Sequence, residues 1–510
     1  MPSLAEGEAV ELAYVQHFRA PDLQATPELL DFFFASAEAP TDSSRLTIIR
    51  EDSNQPLLWF SSGVEQIKSG TDGNNYVSTW QARNLPAVAA EPHAPQFETR
   101  ARMLWLSMDA SGTPALAARY RDQLIAATQV DPFVERTAAS IRIANPREAI
   151  ASAYQLVQAS VEEDGESWRR GNITSASDSL VQGEGNRAAT LIALLSAMGF
   201  DADLELAAER GRTGVNDDCH QFRCYTHPLV RVMLPNAKRP IILDPQLKGI
   251  AAGALSPEVE GENALVIRRS RAGEAEIATV PVGTDQKTRA LANLDLDVDG
   301  GIRGTVRIRF GSFRGAQMRD ILHELSSKDR QSYFEEIGSR IFPHASKISA
   351  SIFHEDDPER PLEVELTVAS SAASRWNGSS LDLGQIIPAL GLSRLYATLP
   401  VRNQDLWLET PLIEESEFTV HLPAGVEVWR MPEPFTAKSS FGEYRTDFKL
   451  EDGALKIVRS FRIPMQQIAA AQYPEFSKFA FQIDGAEREQ LQLRRVSMAQ
   501  ESPSPLRSFR

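Results

Sequence analysis

Between residues 8 and 110 the chain sets short apolar runs between turn-rich segments, the pattern of strands. Candidate strands are Val10-Glu11-Leu12-Ala13-Tyr14-Val15, Arg45-Leu46-Thr47-Ile48-Ile49-Arg50, Leu57-Leu58-Trp59-Phe60 and Tyr76-Val77-Ser78-Thr79-Trp80. Segments such as Gly70-Thr71-Asp72-Gly73-Asn74-Asn75 separate them, and residues 1–110 read as a β sandwich. The period changes over 113–275. Thr113-Pro114 opens a helix through Leu116, Tyr120 and Leu124; Asp131-Pro132 opens a second; Asn145-Pro146 opens a third through Ile150, Tyr154 and Val157. Each pairs a capping side chain with a proline, which suits the first helical turn. Leu191, Leu194, Leu195 and Met198 then predict a central helix over 186–198, closed by Gly199. Strand runs follow at 202–207, 229–234 and 240–244, so helices precede an antiparallel sheet in an α+β layout. Residues 285–497 return to mainly β character. Runs at 291–298 and 304–310 flank Asp299-Gly300-Gly301, a hairpin signal. A helical pair at 314–328 and 330–342 interrupts, and strands resume at 348–353 and 362–368. Residues 500–510 read as a disordered tail.

Composition narrows the function classes. A chain of 510 residues is long enough for about two to four domains. Its net charge of −16 disfavours nucleic acid and anionic membrane surfaces as partners. No apolar run approaches the roughly 18 residues of a membrane span, and Met1 to Glu8 shows no signal peptide. The two cysteines stand in Cys219-His220-Gln221-Phe222-Arg223-Cys224, which excludes a disulfide scaffold and reads as two structural thiols or one local disulfide. A metal set of Cys219, His220, Cys224 and His227 lacks the paired spacing of zinc sites. Neither a metal nor a cofactor is expected. Asp217-Asp218 and Glu162-Glu163-Asp164 read as solvated loop charges.

The turn Gly183-Glu184-Gly185 leads into the central helix. A glycine turn at a helix N-terminus suits a nucleophile, because the helix end stabilises an anion there. This turn holds no Cys or Ser. Residues 183–199 nevertheless resemble the central helix of transglutaminase-like domains, a branch of the papain-like thiol enzymes. That helix follows Gly-Asp-Cys, is rich in Ala and Leu, and closes at Gly. Tyr225-Thr226-His227-Pro228-Leu229-Val230-Arg231-Val232 is similar to the family's histidine strand, Ile241-Ile242-Leu243-Asp244-Pro245 to its Leu-Asp-Pro strand, and 249–267 to its closing segment. Trp80-Gln81-Ala82-Arg83-Asn84-Leu85-Pro86, Glu91-Pro92 and Leu104-Trp105-Leu106-Ser107 resemble the latter part of a DUF3857-type β domain, which precedes such domains in bacteria. Residues 420–426 and 455–461 resemble the C-terminal DUF3858-like β domain paired with the family.

The resemblance implies a bacterial multidomain protein. It has a partial β sandwich (1–110), a transglutaminase-like α+β domain with the papain-like fold (113–275) and a C-terminal β domain with a helical insertion (285–497). It implies His227 as general base and Asp244 as its orienting partner. The nucleophile position falls on Glu184 when counted back from Gly199, and on Gly185 when the leading glycine is matched; the Cys is missing either way. The expected function is that of a pseudoenzyme, with a vestigial His227–Asp244 pair, binding a peptide or protein or acting as a scaffold between the β domains. The alternative is a thiol transglutaminase or cysteine protease-like enzyme using a displaced Cys219 or Cys224. A metal-assisted hydrolase on Glu184, His227 and Asp244, and a carbohydrate- or peptide-binding role unrelated to the lost chemistry, complete the readings. If the chain start is truncated, as the resemblance implies, the strand at 10–15 lies at a raw sheet edge and the location is the periplasm; otherwise it is the cytoplasm.

Overall fold

The computed structural model describes residues 28–51, 57–61, 63–107, 112–141, 143, 145–165, 173–211, 225–234, 236–269, 276–342, 347–370, 376–383 and 386–496. The strand expected at 10–15, Asp217, Asp218, Cys219, His220, Cys224 and the tail 500–510 lie outside the described residues.

The first part holds two three-stranded antiparallel sheets. One orders Glu28–Phe33, Met103–Ser107 and Leu58–Ser61; the other orders Thr41–Arg50, Asn75–Leu85 and Glu65–Asp72. Their shared core contains Phe34, Trp80, Leu85, Leu104 and Leu106. Trp80 is fully buried, with Trp59 packed edge-on against it at 5.7 Å.

The middle part opens on helices Gly112–Ala127, Pro132–Ser140, Pro146–Ser160 and Ala176–Gln182. Asp131 caps the second by accepting from Phe133 N and Val134 N, Asn145 the third through Arg147 N, and Ser175 the fourth through Asp178 N. The central helix is Arg187–Ala197. The spacing of its leucines predicts one buried stripe, but every residue from Arg187 to Leu195 is buried. Such a helix belongs inside a core. It packs on helices Pro132–Ser140 and Pro146–Ser160 and on strands Asp201–Ala207 and His227–Met233. Its alanines at 188, 189 and 193 keep those neighbours close. The five-stranded antiparallel sheet orders Ile241–Leu243, His227–Met233, Asp201–Ala207, Asn263–Ile267 and Glu276–Thr279.

The last part is built on an eight-stranded sheet. The hairpin Thr288–Leu296 with Ile302–Arg309 pairs Leu296 with Ile302 at its closed end, and Thr288–Leu296 runs parallel to Leu412–His421 on its other side. Helices Ser312–Glu324 and Ser327–Ile341 interrupt the strands. A further helix, Tyr473–Glu487, stands where the sequence reads as β. Its Phe476, Phe479, Ala480 and Ile483 close a second core with Leu406, Phe441 and Tyr444. Among the described residues, no helix is long and apolar enough to cross a membrane.

Buried arginines tie the parts together. Arg319 donates to the carbonyl of Gly249 in the middle part and to those of His354, Glu355, Asp357 and Arg360. Arg402 donates to Pro92 O (2.7 Å) and lies 3.5 Å from the Glu91 carboxylate. That carboxylate also accepts from Asn403 N and Gln404 N. Trp407 N donates to His93 O, and the Trp407 ring lies against Gly211, where φ is +78° and a Cβ would come within 2.5 Å of the ring.

Candidate functional site

The site residues gather at one end of the five-stranded sheet. His227 opens its strand, opposite Ala207 in the ladder. Asp244 follows the neighbouring strand Ile241–Leu243 directly and is fully buried. His227 Nε2 donates to Asp244 Oδ1 at 2.8 Å. Three further bonds fix the aspartate. Gln246 N donates to Oδ1 (3.2 Å), Ser256 N to Oδ2 (3.1 Å) and Tyr154 Oη to its backbone carbonyl (2.6 Å). Gln158 in turn donates to Tyr154 Oη and to Leu247 O. Helix Pro146–Ser160 therefore braces the loop that carries the carboxylate.

The other imidazole nitrogen also meets a carboxylate. His227 Nδ1 lies 3.6 Å from Glu209 Oε1; His227 is buried and Glu209 partly buried. Glu209 comes from the segment just beyond strand Asp201–Ala207. Burial alone would push the His227 pKa down. The Asp244 and Glu209 charges and their hydrogen bonds outweigh it and raise the pKa from 6.5 to about 10. Both ring nitrogens thus face carboxylates, an arrangement that favours the imidazolium.

Glu184 and Gly185 do not begin the central helix. They form a two-residue parallel pairing with Glu162 and Glu163, and Asn186 follows as the N-cap position. Glu184 is exposed and Gly185 is buried. At Gly185 φ is +152°, a region nearly reserved for glycine. A Cβ there would lie 2.9 Å from Ser179 Cβ and overlap Ser179 Oγ. Ser179 is itself fixed, donating to Ser175 O and accepting from Asn186 N. Asn186 Oδ1 accepts from Thr174 N (2.6 Å), so this buried side chain closes the turn and not the helix.

Glu162 and Glu163 are not free loop charges. Glu163 Oε2 accepts from Arg187 N at 2.8 Å, which puts a carboxylate on the positive end of the central helix. Glu162 accepts from Arg187 Nη2 (3.1 Å) and from Lys248 Nζ. Arg187 is buried and donates as well to Val161 O, Pro245 O and Gln246 O. Burial lowers its pKa, against the pull of Glu163 and Glu162. It links the helix start to the loop after Asp244. Arg187, Ser179 and Glu209 escape the sequence reading, and Glu163 is read there only as a solvated loop charge. The signal for Arg187 was a lone charge opening an apolar helix, whereas Glu209 belongs to no periodic run.

Among the described residues, no group of three or more His, Cys, Asp or Glu side chains is arranged to hold a metal. A concavity of about 580 Å³ lies away from this site, on the open face of the eight-stranded sheet. Arg289, Glu415, Arg445, Asp447, Glu451 and Lys456 line it, and cross-strand pairs such as Lys456–Glu451 (3.0 Å) occupy its charges.

Comparison with known proteins gives a fold and one domain. The profile of DUF3858, a domain of unknown function with a solved structure, matches residues 386–493. The fold is similar to that of a putative protease from Parabacteroides distasonis ATCC 8503, with a TM-score of 0.58 and 14% identity, over 92% of this chain and 75% of the other. At that identity the likeness is one of fold. No curated protein matches the sequence.

Proposed function

We propose that this chain is a non-catalytic protein of the transglutaminase-like type, a pseudoenzyme that binds a peptide or protein segment and holds its two β parts in a fixed arrangement. One observation carries the reading: neither position matched to the nucleophile carries a thiol, since Glu184 is an exposed carboxylate and at Gly185 Ser179 fills the space a side chain would need. Without a thiol, acyl transfer has no covalent route. The fold likeness to a protease and the His227–Asp244 pair support descent from a hydrolytic or acyl-transferring ancestor. The Arg319 and Arg402 ties favour a scaffold role, because they join the middle part to the last and the first part to the last.

Labelling by iodoacetamide tests the proposal against the displaced-thiol alternative. Cys219 and Cys224 are expected to react no faster than free cysteine, in the native chain and in His227→Ala alike. Rapid labelling of either thiol that His227→Ala slows would establish a thiol–imidazole pair and overturn the reading.

A further inference from the structure

A thiol–histidine site needs an imidazole that can take a proton from the nucleophile and return it to the leaving group. Such a ring needs one nitrogen facing the nucleophile and a pKa near the working pH. In this chain the nitrogen opposite the Asp244 bond faces Glu209 Oε1, 3.6 Å away, with His227 buried and Glu209 partly buried. The helix end shows a parallel arrangement. The N–H of Arg187, of the kind that stabilises a thiolate or an oxyanion, donates to the Glu163 carboxylate at 2.8 Å. Two places where such a site handles charge each hold a carboxylate of the chain itself.

We infer that Glu209 is a positioning residue that withdraws His227 from acid–base chemistry by occupying its second ring nitrogen, so that the lost thiol is only one of the changes separating this site from a catalytic one. The inference rests on the non-catalytic reading above. Its geometry makes His227 a buried cation bridging three segments: its own strand, the loop carrying Asp244, and the stretch after strand Asp201–Ala207. Among the described residues, Asp244 and Glu209 are the charged groups that face the ring, and Ala207, opposite it in the ladder, adds none. The arrangement is self-consistent, since a ring protonated on both nitrogens would have a carboxylate within ion-pair distance of each.

The claim is specific to Glu209. Removing its charge leaves the Asp244 bond in place and returns the ring toward ordinary titration. Removing Glu163, which acts on the helix end, leaves the ring as it was. A residue that merely filled space at 209 would leave the titration of the ring unchanged when its charge alone is removed.

The test is the titration of His227 by imidazole ¹H–¹⁵N NMR in the full chain, with His227→Gln used to assign the signal. The native ring is expected to stay protonated through neutral pH, with its midpoint well above that of an ordinary histidine. Glu209→Gln is expected to lower that midpoint by roughly one unit or more, and Glu163→Gln to leave it in place. Glu209→Ala provides a second variant, and thermal melts confirm that each chain is folded. A native midpoint in the ordinary histidine range overturns the inference without any variant. So does an unchanged midpoint in folded Glu209→Gln and Glu209→Ala. Fast thiol labelling of Cys219 or Cys224 would instead defeat the non-catalytic reading, and the two failures are therefore distinguishable.

Discussion

Ser179 decides what residue 185 can be. Its Oγ occupies the direction a side chain would take, and the backbone at 185 adopts a conformation that a β-carbon resists. Gly185→Cys is therefore expected to destabilise the chain by about 1–3 kcal/mol. Combining it with Ser179→Gly relieves the overlap and recovers part of that loss, although glycine inside the short helix Ala176–Gln182 costs about 1 kcal/mol of its own. Denaturant midpoints of the two variants check this, and a Gly185→Cys chain as stable as the native one would contradict it. His227 sets a pH dependence. Its folded pKa is raised from 6.5 to about 10, so the folded state binds a proton that the unfolded chain releases between those values. That stabilisation is fully present below the unfolded pKa and is lost as pH rises through the folded one. Urea midpoints measured across that window should fall with rising pH in the native chain, and fall less steeply in His227→Ala.

At the scale of elements, Arg187 joins the central helix to the loop that holds Asp244. Arg187→Met removes the donor shared by the Val161, Pro245 and Gln246 carbonyls and is expected to cost about 2–4 kcal/mol. Glu162→Gln touches an exposed partner of the same arginine and should cost less than about 1 kcal/mol. Chemical denaturation separates the two, and equal losses would contradict this account of Arg187. The helices starting at Gly112, Pro132 and Pro146 were legible because a proline stands in the first turn of each, whereas Ala176–Gln182, capped by Ser175, has none and was not legible. Asp131-Pro132 and Asn145-Pro146 mark two starts directly, and the leucine spacing marks the central helix. His227 and Asp244 could be singled out because the segments around them resemble the histidine strand and the Leu-Asp-Pro strand of transglutaminase-like domains. Glu163 and Glu209 could not. Glu163 sits in a two-residue parallel pairing too short to leave a period, and Glu209 reaches the ring from beyond a strand end, where only the chain path determines what meets what. Helix Tyr473–Glu487 was lost differently. Phe476, Phe479 and Ile483 carry helical spacing, but they lie within a stretch whose neighbours read as strands.

Across the whole molecule, the first and last parts meet through Arg402, which donates to Pro92, Gln404 and Asp405 carbonyls and pairs with Glu91. Arg402→Ala leaves the Glu91 carboxylate with the backbone donors of Asn403 and Gln404 and the Asn403 amide. It is expected to cost about 3–5 kcal/mol and to open the segment around 88–96 to limited proteolysis before the rest of the chain unfolds. Protection equal to that of the native protein would show that the two parts do not depend on this tie. Breaking it should leave the His227–Asp244 pair intact, since no bond of the pair passes through Arg402. The proposed function has this assembly keeping the frame of an acyl-transfer site and none of its covalent chemistry. Intact-mass spectrometry of the native chain, incubated with a glutamine-containing peptide pool and a primary amine, tests it most directly. The account predicts peptide retained without covalent attachment and no amine incorporated into the peptides. An acyl adduct on Cys219 or Cys224, formed at a rate that His227→Ala reduces, would contradict it.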